Sequence, residues 1–284
     1  MLDDHNVVKM LLRETYRPNI KKRAGKYTHA SELTSADYCP RKKHLIQHHN
    51  IEELETIGSA LQTTFDMGYA TQDNVTNRWL RNHVWGHWEC GRCGHLWKYQ
   101  FKPKACDKCP EAQRELRQKF EYVEVLMRSE KLMMTGSVDF FVKPPASPYL
   151  WLCEHKIITP NMFKDLKAPL AEHSKRTRLY MAMTDLIPKS KLPNPLSNEG
   201  VVLYTSRGYG TYSQLPVSVG IDNSTYNPWK QFKVPRDDKQ LVPMIDLAKD
   251  YANGSHETCT RICQSYAEGQ KRRCVVVQHC FSGD

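Results

Sequence analysis

The stretch Gly136-Ser137-Val138-Asp139 is followed along the chain by Glu154-His155-Lys156, and these two pieces decide the fold. Residues 137–142 and 149–158 read as strands with a proline-rich turn between them, so the pattern predicts a hairpin. On adjacent strands Asp139 and Glu154 can face one point, and the one-residue gap places Lys156 on the strand face of Glu154. Carboxylate oxygens are the ligands that magnesium and manganese prefer. The stretch therefore predicts a divalent-metal site with a lysine beside it.

Two acids and a lysine in this arrangement suit the hydrolysis of phosphodiesters. A metal held by Asp139 and Glu154 can polarise a phosphate and lower the pKa of a bound water, while Lys156 orients that water or neutralises the transition state. The alternative is a salt bridge on a half-exposed strand. Apolar residues flank the triplet at 150–153 and 157–158, which predicts a buried strand, where charged groups need a partner or a metal. The flanks favour the catalytic interpretation.

Residues 129–139, followed by Glu154-x-Lys156, resemble the core of the RecB-type branch of the PD-(D/E)xK nucleases. The match is to the CRISPR-associated and phage RecB-like exonuclease group that also carries an iron-sulfur cluster. The resemblance spans roughly residue 27 to the C-terminus, apart from an insertion. It implies an α/β fold with a PD-(D/E)xK restriction-endonuclease-like core, in which helices flank a central mixed sheet. It also implies a metal-dependent DNA exonuclease that serves recombination, replication or repair.

Two helices depart from the pattern of that family. Gly68 is followed four residues later by Gln72, where the family carries histidine as a metal ligand, and Arg176 stands where a Gln-x-x-x-Tyr helix has glutamine, with Tyr180 as its tyrosine. The resemblance implies a Mg²⁺ or Mn²⁺ site formed by Asp139, Glu154, the side-chain oxygen of Gln72 and the backbone carbonyl of His155. Arginine at position 176 would grip a DNA phosphate, because its planar guanidinium matches phosphate geometry.

A cysteine quartet, Cys90, Cys93, Cys106 and Cys109, has the spacing C-x2-C-x12-C-x2-C. Two such pairs are typical of a zinc ribbon, since each C-x-x-C turn offers two thiolates to a tetrahedral ion. Free or disulfide-bonded thiols are the alternative. A ribbon this small has almost no core, so the metal would supply much of its folding free energy.

Further cysteines lie near the end of the chain, at Cys259, Cys263, Cys274 and Cys280. The resemblance implies that Cys39, within Tyr38-Cys39-Pro40-Arg41-Lys42, joins three of them around a [4Fe–4S] cluster. Cys274 and Cys280 match the spacing of the final pair; Cys263 is preferred as the remaining ligand and Cys259 is the alternative. Thiolates also bind zinc, so a second zinc site or unligated thiols stay open.

The formal net charge of +10 implies an acidic partner, and nucleic acid fits the metal site best. Basic residues adjoin the motifs, so Arg41, Lys42 and Arg176 are expected to contact DNA, as single strands or duplex ends. Tyr180, from the helix that the resemblance identifies, is expected to contact DNA as well. No apolar run approaches the roughly 18 residues that a membrane helix needs. The first residues lack the order of a secretory signal, and paired cysteines suit a reducing interior, so we expect a cytoplasmic location, whether microbial or viral.

The motifs divide the chain into four predicted parts. An N-terminal helical part covers 1–85, the zinc ribbon is inserted at 86–112, the nuclease core covers 113–252, and the cysteine-rich segment covers 253–284. An iron-sulfur lobe would join the N- and C-terminal parts, and the ribbon could bind a protein partner. Two other functions stay open: a structure-selective endonuclease, and a non-cleaving DNA-binding or adaptor protein on a nuclease scaffold.

Overall fold

A computed structural model describes most of the chain. The described residues are 19–22, 27–35, 38–49, 51, 54–57, 59–110, 119–130, 134–192, 195–207, 229–246, 262–272, 274 and 276–281. Cys259, the alternative cluster ligand, lies outside them. Among the helices within these ranges, none combines the length and the apolar composition that crossing a bilayer requires.

The described part contains twelve strands, seven α-helices and a further helical segment at 242–246. The strands are β1 (Asn19–Lys22), β2 (Thr28–His29), β3 (Leu54–Ile57), β4 (Val84–Cys90), β5 (Leu96–Phe101), β6 (Phe120–Val123), β7 (Val125–Ser129), β8 (Met134–Val138), β9 (Phe140–Val142), β10 (Trp151–Ile158), β11 (Glu199–Ser206) and β12 (Trp229–Pro235). The helices are α1 (Ala30–Leu33), α2 (Pro40–His48), α3 (Ser59–Asp73), α4 (Pro160–Asp165), α5 (Ala171–Met183), α6 (Tyr266–Lys271) and α7 (Val277–Phe281). A π-helical turn, Asn74–Trp79, extends α3, and 3-10 turns cover Thr184–Leu186, Lys189–Lys191 and Asp238–Leu241.

The central sheet has seven strands in the order β12-β11-β10-β9-β4-β5, with β6 also paired to β4. Only the β10–β11 pair is parallel, so the sheet is mixed, as predicted. A second sheet has the order β2-β8-β7, and β1 pairs with β3. The α/β architecture expected from the sequence is therefore confirmed at this level.

The predicted hairpin is present as β9 and β10, with Phe141 opposite Leu152. The first predicted strand, however, is divided. β8 ends at Val138 and belongs to the three-stranded sheet, whereas β9 begins at Phe140 and belongs to the central sheet. Asp139 is the single residue between them, so it stands where the chain passes from one sheet to the other.

Helix α5 covers one face of the central sheet and positions the site residues beneath it. Leu179, Tyr180 and Met181 of this helix are buried in the same core cluster as Leu152 and Val202 of the sheet. Burial of an aliphatic or aromatic side chain of this size stabilises a fold by about 1.5–3 kcal/mol. Packing, rather than an exposed polar face, therefore fixes α5 against β10 and β11.

The segment that carries Cys90, Cys93, Cys106 and Cys109 begins on β4, which is a strand of the central sheet. β4 pairs with β9 at its start, through Val84 and Trp85, with β5 over most of its length, and with β6 in its second half. It ends at Cys90, in the first C-x-x-C turn. The start of the zinc ribbon predicted at 86–112 thus lies in a strand of the central sheet.

Gly136 gives a first testable prediction. A Cβ atom there would lie 2.6 Å from Cε1 of Tyr180 and 3.0 Å from Cβ of Ala30. Because the site is fully packed, Gly136→Ala should lower the free energy of unfolding by about 1–3 kcal/mol. Gly68→Ala is the matched control: a Cβ atom at Gly68 would meet nothing within 4 Å, and α3 should gain about 0.5–1 kcal/mol. Urea unfolding measures both variants, and equal stability changes would contradict the close packing of Gly136.

Candidate active site and thiolate groups

Asp139 is fixed over β10 by the backbone of that strand. Its Oδ2 accepts a hydrogen bond from the backbone N–H of His155 at 2.6 Å and one from Nζ of Lys156 at 3.4 Å. The break between β8 and β9 lets the carboxylate reach these donors, because Asp139 pairs with neither sheet. Asp139, which belongs to the motif that predicts the hairpin, therefore also places a second carboxylate near Glu154.

The ammonium group of Lys156 lies among three oxygens. Nζ is 2.7 Å from Oε1 of Glu154, 3.0 Å from the backbone oxygen of His155 and 3.4 Å from Oδ2 of Asp139. Three of the four ligands predicted for a divalent metal thus converge on one positive charge. This arrangement provides a cation position built from oxygens.

The carboxylate of Glu154 is buried, and its partners contact only one of its two oxygens. Its side chain is 1% exposed, and no group in the described part of the chain donates a hydrogen bond to Oε2. Burial raises the pKa of Glu154 to about 7, the charge of Asp139 adds to that rise, and Lys156 and Arg176 oppose it. A buried carboxylate oxygen without a donor is costly unless a cation binds it. The donor set therefore fits Mg²⁺ or Mn²⁺.

Arg176 points into the same cluster from α5. Nη1 lies 3.3 Å from Oε1 of Glu154, and Nε donates to Oγ1 of Thr34 at 3.3 Å. Tyr180, one turn further along the helix, is 5% exposed and packs in the core. DNA contacts by these two side chains stay predictions; a contact by Tyr180 would require that its ring become accessible.

Gln72 reaches the acids from α3, with its amide nitrogen towards them. Nε2 donates to Oε1 of Glu124 at 2.9 Å and lies 3.5 Å from the backbone oxygen of Asp139. Both neighbours are acceptors, which assigns the nitrogen rather than the oxygen to this side. Metal ligation through the oxygen of Gln72 stays a prediction and would require the amide to turn.

Glu124 is a member of the cluster that the sequence interpretation missed. It lies between β6 and β7, and its pKa is raised by burial and then by the charge of Asp139. No motif surrounds it. The available signal was a single acid inside the strand-like run 120–129, where an acid is expected either to face solvent or to have a partner.

The four cysteines of the C-x2-C-x12-C-x2-C pattern come together at the end of β4. Sγ of Cys90 is 3.7 Å from Sγ of Cys109, and Sγ of Cys93 is 3.6 Å from Sγ of Cys106. All four sulfurs lie within 4.8 Å of one another. Four thiolates around one zinc at about 2.3 Å stand about 3.8 Å apart in a tetrahedron. The group could therefore hold a metal ion.

Cys39, Cys263, Cys274 and Cys280 line one small cavity of about 10 Å³. Cys39 directly precedes α2, Cys280 lies in α7, and Lys42 of α2 lines the same cavity. Among the described residues, the quartet at the end of β4 is the only group of three or more His, Cys, Asp or Glu side chains whose ligand atoms lie within 4.8 Å of one another. The sulfurs of this second group are thus spaced more widely than a single zinc requires. Contacts of Arg41 and Lys42 with DNA stay predictions.

Comparison with solved structures finds distant structural neighbours, seven chains in all. No protein family and no curated protein matches the chain. An alkaline exonuclease (LHK-Exo) from Laribacter hongkongensis is similar to it over 80% of this chain and 86% of that protein, with 12% sequence identity and a TM-score of 0.39.

Proposed function

We propose that this protein is a metal-dependent DNA nuclease, and specifically an exonuclease acting in recombination, replication or repair. One observation carries the proposal: Asp139, Glu154 and the carbonyl of His155 converge around the ammonium group of Lys156, and the buried Oε2 of Glu154 has no donor among the described residues. The formal charge of +10 suits a polyanionic substrate. A carboxylate pair with a lysine, on a basic chain, supports phosphodiester hydrolysis better than a structural salt bridge.

Each residue has a role that follows from its contacts. Asp139, Glu154 and the His155 carbonyl would hold Mg²⁺ or Mn²⁺. The cation supplies Lewis acidity and a bound water of lowered pKa. Lys156 keeps a positive charge next to both carboxylates, where it can stabilise the charge that develops on the phosphate. The backbone N–H of His155 holds the Asp139 carboxylate in place, so the ligand geometry does not depend on a side-chain rotamer alone.

The test is digestion of end-labelled single-stranded DNA, linear duplex DNA and a closed circle, with Mg²⁺, with Mn²⁺ and with EDTA. We expect degradation of the linear substrates from their ends, an intact circle, and no reaction in EDTA. Cutting of the circle would replace the exonuclease by a structure-selective endonuclease. Binding of DNA without cleavage under either metal would reject catalysis.

We also propose that the two cysteine groups hold different metals. The quartet Cys90, Cys93, Cys106 and Cys109 would hold zinc, and the sulfur spacing supports this. Cys39, Cys263, Cys274 and Cys280 would hold a [4Fe–4S] cluster, with Cys259 as the alternative for Cys263. Anaerobically purified protein should be brown and contain iron, acid-labile sulfide and zinc, whereas a colourless protein with zinc alone would reject the cluster.

One contact favours the second candidate, a non-cleaving DNA-binding or adaptor protein. Arg176 and Lys156 both pair with Oε1 of Glu154, so two protein cations compete with a metal for the same oxygen. If this competition keeps the metal out, the scaffold would bind DNA without cutting it.

Arg176→Gln decides between these candidates. Removal of one competing cation should tighten Mn²⁺ binding by about tenfold, the equivalent of one pKa unit of charge interaction. Isothermal titration with Mn²⁺ measures the change, alongside cleavage at limiting metal. Arg178→Gln is the matched control, because Arg178 lies on the same helix but contacts the backbone oxygen of Pro235 and the side chain of Gln240. Unchanged or weaker Mn²⁺ binding in Arg176→Gln would show that the ion pair does not oppose the metal.

A further inference from the structure

A large cavity lies on the face of the central sheet that is turned away from α5. In β10, Leu152 packs in the same core cluster as α5, whereas Cys153 belongs to another cluster with Phe140 and Val201. Side chains of a strand alternate between its two faces, so Glu154, which Arg176 of α5 contacts, faces away from Cys153. The cavity has a volume of about 680 Å³, and Phe140, Cys153 and Val201 line it. It is therefore separate from the candidate active site.

Three tryptophans from separate elements line this cavity. Trp79 ends the π-helical turn after α3, Trp151 begins β10 and Trp229 begins β12. Trp79 and Trp229 meet edge to face, with their ring centroids 5.6 Å apart, and their side chains are 48% and 41% exposed. Half of the six tryptophans in the chain thus lie around one cavity. Flat, partly exposed indole rings of this kind suit a planar aromatic ligand, because such rings stack.

Two hydrogen-bonding groups and one cation accompany the indole rings. His83 and Gln231 line the cavity, and neither side chain forms a hydrogen bond with another described residue. Nζ of Lys233 lies 5.1 Å from the ring centroid of Trp151 and 3.0 Å from Oε2 of Glu199, and the lysine side chain is 57% exposed. None of the described residues that line the cavity is an acid. Apolar walls with a few polar groups are the usual form of a ligand site, and the charge of this one suits an anionic ligand.

These features fit a nucleotide better than an apolar side chain of a partner protein. A base can stack on an indole ring while its polar edge bonds to the imidazole of His83 and the amide of Gln231, and its phosphate can pair with Lys233. An apolar side chain would instead cover the imidazole and the amide without supplying partners, which costs free energy. Because the hydrogen-bonding groups are so few, stacking would dominate and the sequence preference would be small.

We propose that this cavity binds unpaired bases of single-stranded DNA, with Trp79 and Trp229 stacking on the bases and Lys233 pairing with a phosphate. The inference rests on the proposed nuclease function for the identity of the nucleic acid, and it adds a binding site on the sheet face opposite Glu154. No bond is made or broken at this site. A strand bound there stays on the protein while another part of the DNA occupies the cation position.

The test is binding of a fluorescein-labelled oligothymidylate of about 20 nucleotides, longer than one such site, and of a duplex of the same length. Fluorescence anisotropy is measured on the full-length protein with its thiolate metals in place and without added Mg²⁺ or Mn²⁺. Trp79→Ala should bind the single strand about tenfold more weakly, the scale of one lost stacking contact, and the duplex as the wild type does. Trp79→Phe keeps an aromatic ring and should restore most of the affinity. Tyr149→Ala is the matched control, because Tyr149 is 45% exposed and does not line the cavity.

Lys233 is tested by salt dependence. Lys233→Gln should lower the slope of log affinity against log salt concentration by about 0.7, the value of one phosphate contact on a single strand. Lys233→Arg keeps the charge and should keep the slope. A purely structural role of Lys233, through its ion pair with Glu199, would lower the melting temperature and leave the slope unchanged.

Equal affinity of the wild type and Trp79→Ala for the oligothymidylate would overturn the inference and leave the cavity to apolar side chains of a partner protein. Thymidine monophosphate that bound as tightly as the oligothymidylate would overturn it in favour of a free nucleotide. Failure of the site is distinct from failure of the nuclease proposal, because the binding assay involves no cleavage. Cleavage of linear DNA with unchanged binding by Trp79→Ala rejects the site alone. Binding that Trp79→Ala weakens, without cleavage under either metal, keeps the site and rejects the nuclease.

Discussion

Asp139→Asn should lower the rate of DNA cleavage by about 10³-fold, the scale of losing one electrostatic contact at a reaction centre. The substitution removes the charge that the cation needs and keeps the size of the side chain. Asparagine Oδ1 can still accept the hydrogen bond that Asp139 receives from the N–H of His155. Because burial and then the charge of Asp139 raise the pKa of Glu154, loss of that charge relieves repulsion, so the folded state should not be destabilised. Initial cleavage rates and thermal melts of the same preparation measure the two effects separately.

Lys156→Ala is a less selective variant than Asp139→Asn. It leaves Glu154 buried without its partner at 2.7 Å, and breaking such a pair costs about 3 kcal/mol of stability. Asp165→Asn, at the exposed end of α4, is the matched control and should cleave as the wild type does. If Asp139→Asn and Lys156→Ala both kept wild-type rates, cleavage would have to arise elsewhere in the chain or from a contaminant.

The hairpin could be predicted because its information is local. Strand-like runs on either side of a proline-rich turn predict β9 and β10. Because side chains alternate between the two faces of a strand, Glu154 and Lys156 are predicted to lie on the same face. The break at Asp139 could not be predicted, since it depends on β8 pairing with β7 and β2 in another sheet. Such long-range pairing depends on strands that are distant in the sequence, and the segment itself carries no signal of it.

Some residues of the two cysteine groups and of the candidate active site can likewise be predicted from local sequence, and others cannot. The quartet from Cys90 to Cys109 follows from spacing, because each pair lies within one turn. The convergence of Cys39 with Cys263, Cys274 and Cys280 was expected only through resemblance to a family. The inward direction of Arg176 could not be read from charge, since charged helix residues usually face water. Its direction follows from a helix that is buried on several sides, where Thr177, Leu179, Tyr180 and Met181 are all covered.

Cys109→Ser should remove the metal of the quartet and lower the free energy of unfolding by at least about 4 kcal/mol, an exceptional effect for one substitution. Cys90, Cys106 and Cys109 are nearly inaccessible and share a core cluster with Trp88 and Phe120. Structural zinc contributes folding free energy outright. Zinc content and urea unfolding measure the change. Cys153→Ala is the matched control: it removes a buried thiol of the same cluster outside the quartet and should cost about 1 kcal/mol.

The effect should spread beyond the cysteine turn, because β4 is paired on both sides. β4 pairs with β5 along most of its length, with β6 in the half that ends at Cys90, and with β9 through Val84 and Trp85. β9 begins directly after Asp139. Hydrogen exchange in Cys109→Ser should therefore accelerate in β4, β5 and β6 first and in β9 to a smaller extent, and Mn²⁺ affinity should fall with it. Exchange confined to residues 91–95, with β4 fully protected, would mean that the sheet holds this strand without the metal and that the quartet only shapes the turn.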